Sequence, residues 1–254
     1  MYWFSEYDIM ALVPFVCEWK TNRVEVYQKG NGREVYHGHF NVITKPLCEH
    51  CGNPDMVKTS NGYVCFEDHY LHISFKDVDG AFQLGYYYKK TSYDLRESGD
   101  ILNSCIWRLK RDVDWATPLA QSMFMAIQKN FPMLLDVELS VPVPNHILDP
   151  NSDAKAVALA NQLGNEFTKF LKPAQVVCAL RKVKNISTQG LNQVEREEAV
   201  IDMFEFNPSH QIENKTILLV DDVLTAGNTK GKCATILKEN GAKKVWIMVA
   251  GRNK

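Results

Sequence analysis

Ile217-Leu218-Leu219-Val220-Asp221-Asp222-Val223-Leu224-Thr225-Ala226-Gly227-Asn228-Thr229 is the stretch on which the reading of this chain turns. The opening apolar residues predict a buried central strand. Two adjacent carboxylates, Asp221 and Asp222, emerge at its carboxyl end, and the loop Thr225, Ala226, Gly227, Asn228 and Thr229 runs into a helix N-terminus. Such a loop offers backbone N–H groups and the Thr225 and Thr229 hydroxyls to a phosphate, assisted by the positive end of the helix. Gly227 lets the backbone approach closely because it carries no Cβ. The paired carboxylates can accept hydrogen bonds from two vicinal hydroxyls, as on a ribose. A plain βα turn with surface acids is the alternative; strand, double acid and Thr-x-Gly-x-Thr in one run argue against it. Gly227-Asn228-Thr229-Lys230-Gly231-Lys232-Cys233 is not a P-loop, since three residues separate its glycines instead of four and Cys233 stands where Ser or Thr would hold Mg²⁺.

Outward from this stretch the texture is one of strands alternating with helices. Val137 to Val143 predicts a strand, Ser152 or Asp153 caps a helix carrying Val157, Ala160, Leu163 and Phe167, and Val176 to Leu180 predicts a buried strand. A helix from about Thr229 to Asn240 stops at Gly241 and leads to the strand Val245 to Val249. Strands joined through helices make a mostly parallel sheet, an α/β fold. Ahead of it, Gly80 to Tyr88 predicts a strand, and Gly99 to Lys110 and Pro118 to Gln128 predict two amphipathic helices. Near the amino end, Asn31-Gly32 between β-rich runs predicts a hairpin.

The thirteen-residue run from Ile217 to Thr229 resembles the motif by which type I phosphoribosyltransferases bind phosphoribosyl pyrophosphate (PRPP). More of the chain is similar to the ComF-like branch of that family: a small cysteine-rich module, Trp107-Arg108-Leu109-Lys110, Val141-Pro142-Val143-Pro144, Leu180-Arg181, Thr188-Gln189-Gly190-Leu191, Glu195-Arg196, Phe204 and Gly251-Arg252. The resemblance implies a type I phosphoribosyltransferase fold over 137–254, a β-rich, zinc-ribbon-like module over 1–75 and a connecting or hood segment over 76–136. It further implies that Arg181 to Glu198 closes over pyrophosphate, with Arg181, Lys182 and Arg196 neutralising its charge beside Asp221 and Asp222. A solvated basic loop is the alternative. PRPP would arrive with Mg²⁺, and the acceptor would be a nucleobase or amine. After Val-Pro-Val-Pro the chain departs from the branch, because Asn145 to Asp153 lacks the arginines usual there. That departure points to weak turnover and keeps a PRPP- or nucleotide-sensing role, or an accessory role with a local nucleic-acid contact or a protein partner, beside the enzymatic one.

Cys48-x2-Cys51, thirteen residues, then Cys65-x3-His69 supplies three thiolates and an imidazole at a spacing suited to structural Zn²⁺. His72, His50 or Asp68 could replace His69. Cys17, Cys105, Cys178 and Cys233 sit in apolar patterns and are expected in the core, whereas His37 and His39 are expected at the surface. A formal net charge of -1 gives no global field for nucleic acid. The absence of a long apolar run and of a signal-like start leads to the expectation of a cytoplasmic protein with no membrane span. A monomer and a homo-oligomer are both compatible with the pattern.

Overall fold

The computed structural model describes residues 15–30, 33–43, 57–59, 62–64, 77–88, 101–145, 154–184, 202–224 and 227–253. Three antiparallel strands come first: β1 (Phe15–Lys20), β2 (Arg23–Gly30) and β3 (Arg33–Asn41). Thr21 and Asn22 turn the chain between β1 and β2 with positive φ at both positions (39° and 63°), as a two-residue hairpin demands. Gly30 pairs with Arg33 across the expected Asn31-Gly32 connection. A second, small hairpin, β4 (Val57–Thr59) with β5 (Gly62–Val64), follows.

The main sheet has five strands in the order β6-β12-β11-β7-β8, all parallel: β6 (Gly80–Tyr87), β7 (Leu139–Pro142), β8 (Gln175–Val176), β11 (Thr216–Leu224) and β12 (Lys244–Asn253). This is the α/β architecture expected of a phosphoribosyltransferase-like unit, with an antiparallel β-rich module before it. The edge strand β6 comes from the segment ahead of residue 137, so the sheet draws on both sides of the expected 136/137 division. The helices are α1 (Leu102–Leu109), α2 (Ala116–Asn130), α3 (Ala154–Phe170) and α4 (Asn228–Glu239).

The helices bury the stripes their periodicity marks, except that Val157 of α3 is only half-buried while Ala160, Leu163 and Phe167 are buried. On α1 the buried apolar residues are Leu102, Cys105, Ile106 and Leu109, and α2 buries Leu119, Met123 and Ile127. Together with Leu159, Leu163 and Phe167 of α3, and with Phe15, Val24, Val26 and Phe40 of the amino-terminal sheet, they form one core against Leu218, Val220 and Met248. The opposite face of the sheet carries a second core, in which Cys233, Ala234, Ile236 and Leu237 of α4 meet Ile217, Leu219 and Val249.

The amino-terminal sheet is tied into this body by specific bonds. Cys17 N donates to Gln121 Oε1 (3.1 Å), Gln121 Nε2 donates to the Phe15 carbonyl (3.2 Å), and Ile43 N donates to the Leu84 carbonyl on the outer edge of β6 (2.7 Å). Gly251 is required where α1 crosses the sheet: a Cβ there would lie 2.7 Å from Ile106 Cδ1 and 2.8 Å from Tyr87 Cβ.

Four sequence expectations change. Val176 to Leu180 is not one buried strand: β8 ends at Val176, and after Val177 N donates to Ser140 O the chain leaves the sheet and pairs as β9 (Leu180–Lys182) with β10 (Phe204–Phe206). Cys178, in that exit, is exposed, while Cys105 and Cys233 are buried as expected and Cys17 is partly buried. His37 is half-buried, packed against the touching rings of Phe15 (5.7 Å) and Trp115 (5.5 Å), instead of standing at the surface. Gly38, with φ 128°, lies at a bulge that shifts the β2–β3 register, so strict alternation from His37 to His39 fails.

Candidate functional site

Two crossovers place the site. The unit β7-α3-β8 runs to one side of the sheet with α3 on one face, and β11-α4-β12 runs to the other side with α4 on the opposite face. The strand order therefore reverses between β7 and β11. In open parallel sheets that reversal leaves a crevice at the carboxyl ends of the strands, where ligands bind. The Asp221-Asp222 pair and the start of α4 lie at that edge.

β11 extends beyond the expected apolar core through Leu224. Its alternation slips by one residue at Asp222: Ile217 and Leu219 face the α4 side, yet Leu224 belongs to that side too, and Val223 joins Leu218 and Val220 on the other. Pairing along the neighbouring strands skips the same level, passing from Asp221↔Val249 to Val223↔Gly251 and from Val249↔Gln83 to Gly251↔Gly85. An irregularity of this kind re-aims a side chain at a strand end. Asp222 is partly exposed there, whereas Asp221 is 3% exposed and points toward α4.

Asp221 has its partner inside the protein. Lys230, from the first turn of α4, places Nζ 2.5 Å from Asp221 Oδ2 and donates to the Val223 carbonyl at 2.8 Å. The other carboxylate oxygen, Oδ1, accepts the N–H of Asp222 at 2.9 Å. Burial pushes the Asp221 carboxyl up to about 6, with the Lys230 ammonium pulling in the opposite direction. One turn further along α4, burial pushes the Cys233 thiol up to about 12, so it is a neutral packing group. In the same row of the sheet, Gln83 on β6 is fully buried and its side-chain amide has no hydrogen-bond partner among the described residues.

Gly227 stands at the N-cap of α4 with φ 85°, in the left-handed region that favours glycine. Its carbonyl accepts the Gly231 N–H at 2.8 Å, closing the first helical turn and leaving the earlier N–H groups of the helix directed out of its end. Asn228 is buried and Thr229 partly exposed. Thr225 and Ala226 lie outside the described residues.

Arg181 and Lys182 fall in β9, at the base of the expected loop and not within it. Arg181 is exposed and donates from Nη2 (2.8 Å) and Nε (3.2 Å) to Glu205 Oε2 on β10, and Lys184 pairs with Asp202 at 3.3 Å. Lys182 Nζ donates to the Asn145 carbonyl at 3.1 Å, which ties the base of the loop to the segment following β7. Arg196 lies outside the described residues, as do Cys48, Cys51, Cys65 and His69. Between the two halves of that cysteine cluster, β4 and β5 pair so that Val57 stands opposite Val64, one position before Cys65.

Sequence reasoning missed Lys230. The signal available was a lysine one residue beyond the Thr-x-Gly-x-Thr loop, at a position that the helix turns back toward the strand end.

Fold and site thus define an α/β unit with a glycine-capped helix N-terminus and an acidic strand end at its switch point. Residues 153–253 match the family model of the phosphoribosyl transferase domain, which supports a type I phosphoribosyltransferase domain in the carboxyl-terminal part of the chain. No curated protein matches. Among solved structures, the chain is similar to phosphoribosylpyrophosphate synthetase from Mycobacterium smegmatis at 15% identity and a TM-score of 0.32, over 53% of this chain and 33% of that one. It is also similar to the allosteric regulatory enzyme of purine biosynthesis at 15% identity and a TM-score of 0.32, over 90% of this chain and 45% of that one. The chain therefore spans less than half the length of either protein.

Proposed function

We propose that this chain binds PRPP, or a related ribose phosphate, at the crevice between β7 and β11, and transfers the phosphoribosyl group to or from a nucleobase or amine with pyrophosphate as the other product or substrate. The observation that carries the reading is the pairing of Gly227 at the N-cap of α4 with the partly exposed Asp222 at the end of β11. The helix N-terminus takes the 5-phosphate through its outward N–H groups, and Asp222 accepts a ribose hydroxyl. Mg²⁺ arriving with PRPP would supply charge neutralisation at the pyrophosphate, and Asp222 is an oxygen donor of suitable hardness that would hold it. The chain's own task is to position ribose and acceptor and to hold developing charge.

The segment Asn145 to Asp153, which lacks arginine, favours a second reading, in which the pocket senses PRPP with little turnover; the exposed Arg181–Glu205 pair is weak enough to exchange under either reading. Titration calorimetry with PRPP and Mg²⁺, followed by a pyrophosphate-release screen over nucleobases and amines, separates the readings. Release with one acceptor supports transfer, binding without release supports sensing, and no binding refutes both. For Cys48, Cys51, Cys65 and His69 we propose a structural Zn²⁺ site; the β4–β5 hairpin supports it by returning the chain toward its start between the two halves of the cluster.

A further inference from the structure

We propose that Lys230 is a positioning residue for the ribose site: it neutralises Asp221 and braces the backbone on both sides of Asp222, so that Asp222 alone of the two carboxylates contacts the ribose. The inference rests on the ribose-phosphate reading given above and divides the labour within it.

Lys230 and Asp221 have side chains 9% and 4% exposed, so both charges are removed from water. An ion pair this deep is retained at a desolvation cost, and breaking it by removing one partner is far more harmful than replacing both by neutral groups of similar shape. Its bonds surround one residue. Asp221 Oδ1 holds the N–H of Asp222, Asp221 Oδ2 holds Lys230 Nζ, and Lys230 Nζ holds the carbonyl of Val223, the residue after Asp222. Asp222 is thereby bracketed by a clamp anchored in the first turn of the helix whose N-terminus faces the phosphate. The clamp couples the two halves of the site: the strand end that meets the hydroxyls and the helix start that meets the phosphate cannot move independently. It also occupies Asp221, whose two oxygens each have an internal partner.

The groups facing Asp221 from the described elements are Lys230 and Cys233 on α4 and Asp222 on its own strand. With Lys230 removed, nothing cationic among them remains. An Asp221 left unpaired must then either take up a proton or disturb the clamp, and which one it does depends on pH.

The test uses the full chain and ribose 5-phosphate, with three variants titrated at about pH 7 and about pH 9, where the wild type serves as reference for the ligand's own ionisation. Lys230→Met should bind close to wild type at the lower pH and lose about tenfold or more relative to it at the higher pH. Asp221→Asn in the Lys230→Met background should restore affinity to within about threefold of wild type at both values, because an amide still accepts the Asp222 N–H and no buried charge remains. Asp222→Asn should lose about thirtyfold or more throughout. A double variant as impaired as Asp222→Asn would show that Asp221 itself touches the ribose and would overturn the proposal, as would a Lys230→Met protein whose affinity tracks wild type across pH. A wild type that binds neither ribose 5-phosphate nor PRPP overturns the ribose reading itself, and the positioning role with it. Coupling between Asp221→Asn and Lys230→Met in urea unfolding then still reports whether the ion pair forms.

Discussion

Replacing Gly227 by alanine tests the site where stability and binding separate. Gly227 has φ 85°, and an alanine forced into the left-handed region costs about 1–2 kcal/mol, because its Cβ crowds the following carbonyl. For a protein of this size that corresponds to a fall in melting temperature of roughly 2–8 °C. Asparagine tolerates the same backbone region far better, so Gly227→Asn should recover most of the lost stability. Affinity should follow the other order. Both side chains put a Cβ where the proposed phosphate would approach the N-cap, and asparagine adds the larger group, so Gly227→Asn should bind ribose 5-phosphate no better than Gly227→Ala despite being more stable. Urea unfolding of the three proteins with calorimetric titration of each checks both orders. An alanine variant as stable as wild type would refute the left-handed turn, and an asparagine variant with undiminished affinity would remove the phosphate from this helix end.

Three further predictions come from other parts of the molecule. Asp221 has a folded pKa raised by burial to about 6, so its ionisation in the folded state opposes stability above that value and the opposition is relieved as pH falls from about 6 toward 4; relative to Asp221→Asn, the wild type should gain stability, of order 3 kcal/mol at most, over that window, and parallel stability curves for the two proteins would exclude the buried titration. Gly251→Ala should cost about 1–3 kcal/mol by overpacking, since the new Cβ meets both Ile106 and the backbone-proximal Cβ of Tyr87, and a loss under about 0.5 kcal/mol in urea would show that α1 does not press on the sheet there. The purified protein should contain about one equivalent of zinc by elemental analysis, Cys51→Ser should lower that content, and a metal-free protein prepared under reducing, chelator-free conditions would reject the assignment.

What was legible in the sequence is what local pattern controls. The apolar run before Asp221, the stop at Gly241 with its φ of 90°, and the buried stripes of α1 and α2 follow from period, glycine placement and burial, each of which acts within a few residues. The β11-loop-α4 element was legible for the same reason, since strand, carboxylates and glycine are contiguous. Features decided by packing between distant segments were not. The sequence does not announce that Gly80 to Tyr87 lies beside β12 and completes the sheet, because parallel pairing depends on crossovers and on the whole body of helices that covers them. Nor does it announce that the strand containing Val176 ends there and that the chain re-pairs as β9 with β10, a choice made by Phe204 to Phe206 many residues later.

The two adjacent carboxylates show the division most clearly. From the sequence, Asp221 and Asp222 are equivalent acids at a strand end. The alternation of β11 breaks at Asp222, and only the tertiary structure sets Lys230 of α4 against Asp221, so Asp221 is consumed by a buried ion pair while Asp222 is left at the crevice. Sequence alone determined that a strand ending in two carboxylates runs through a glycine turn into a helix here; the packing of α4 back onto β11 decided which carboxylate stays at the crevice, because burial and charge pairing are properties of what surrounds a residue.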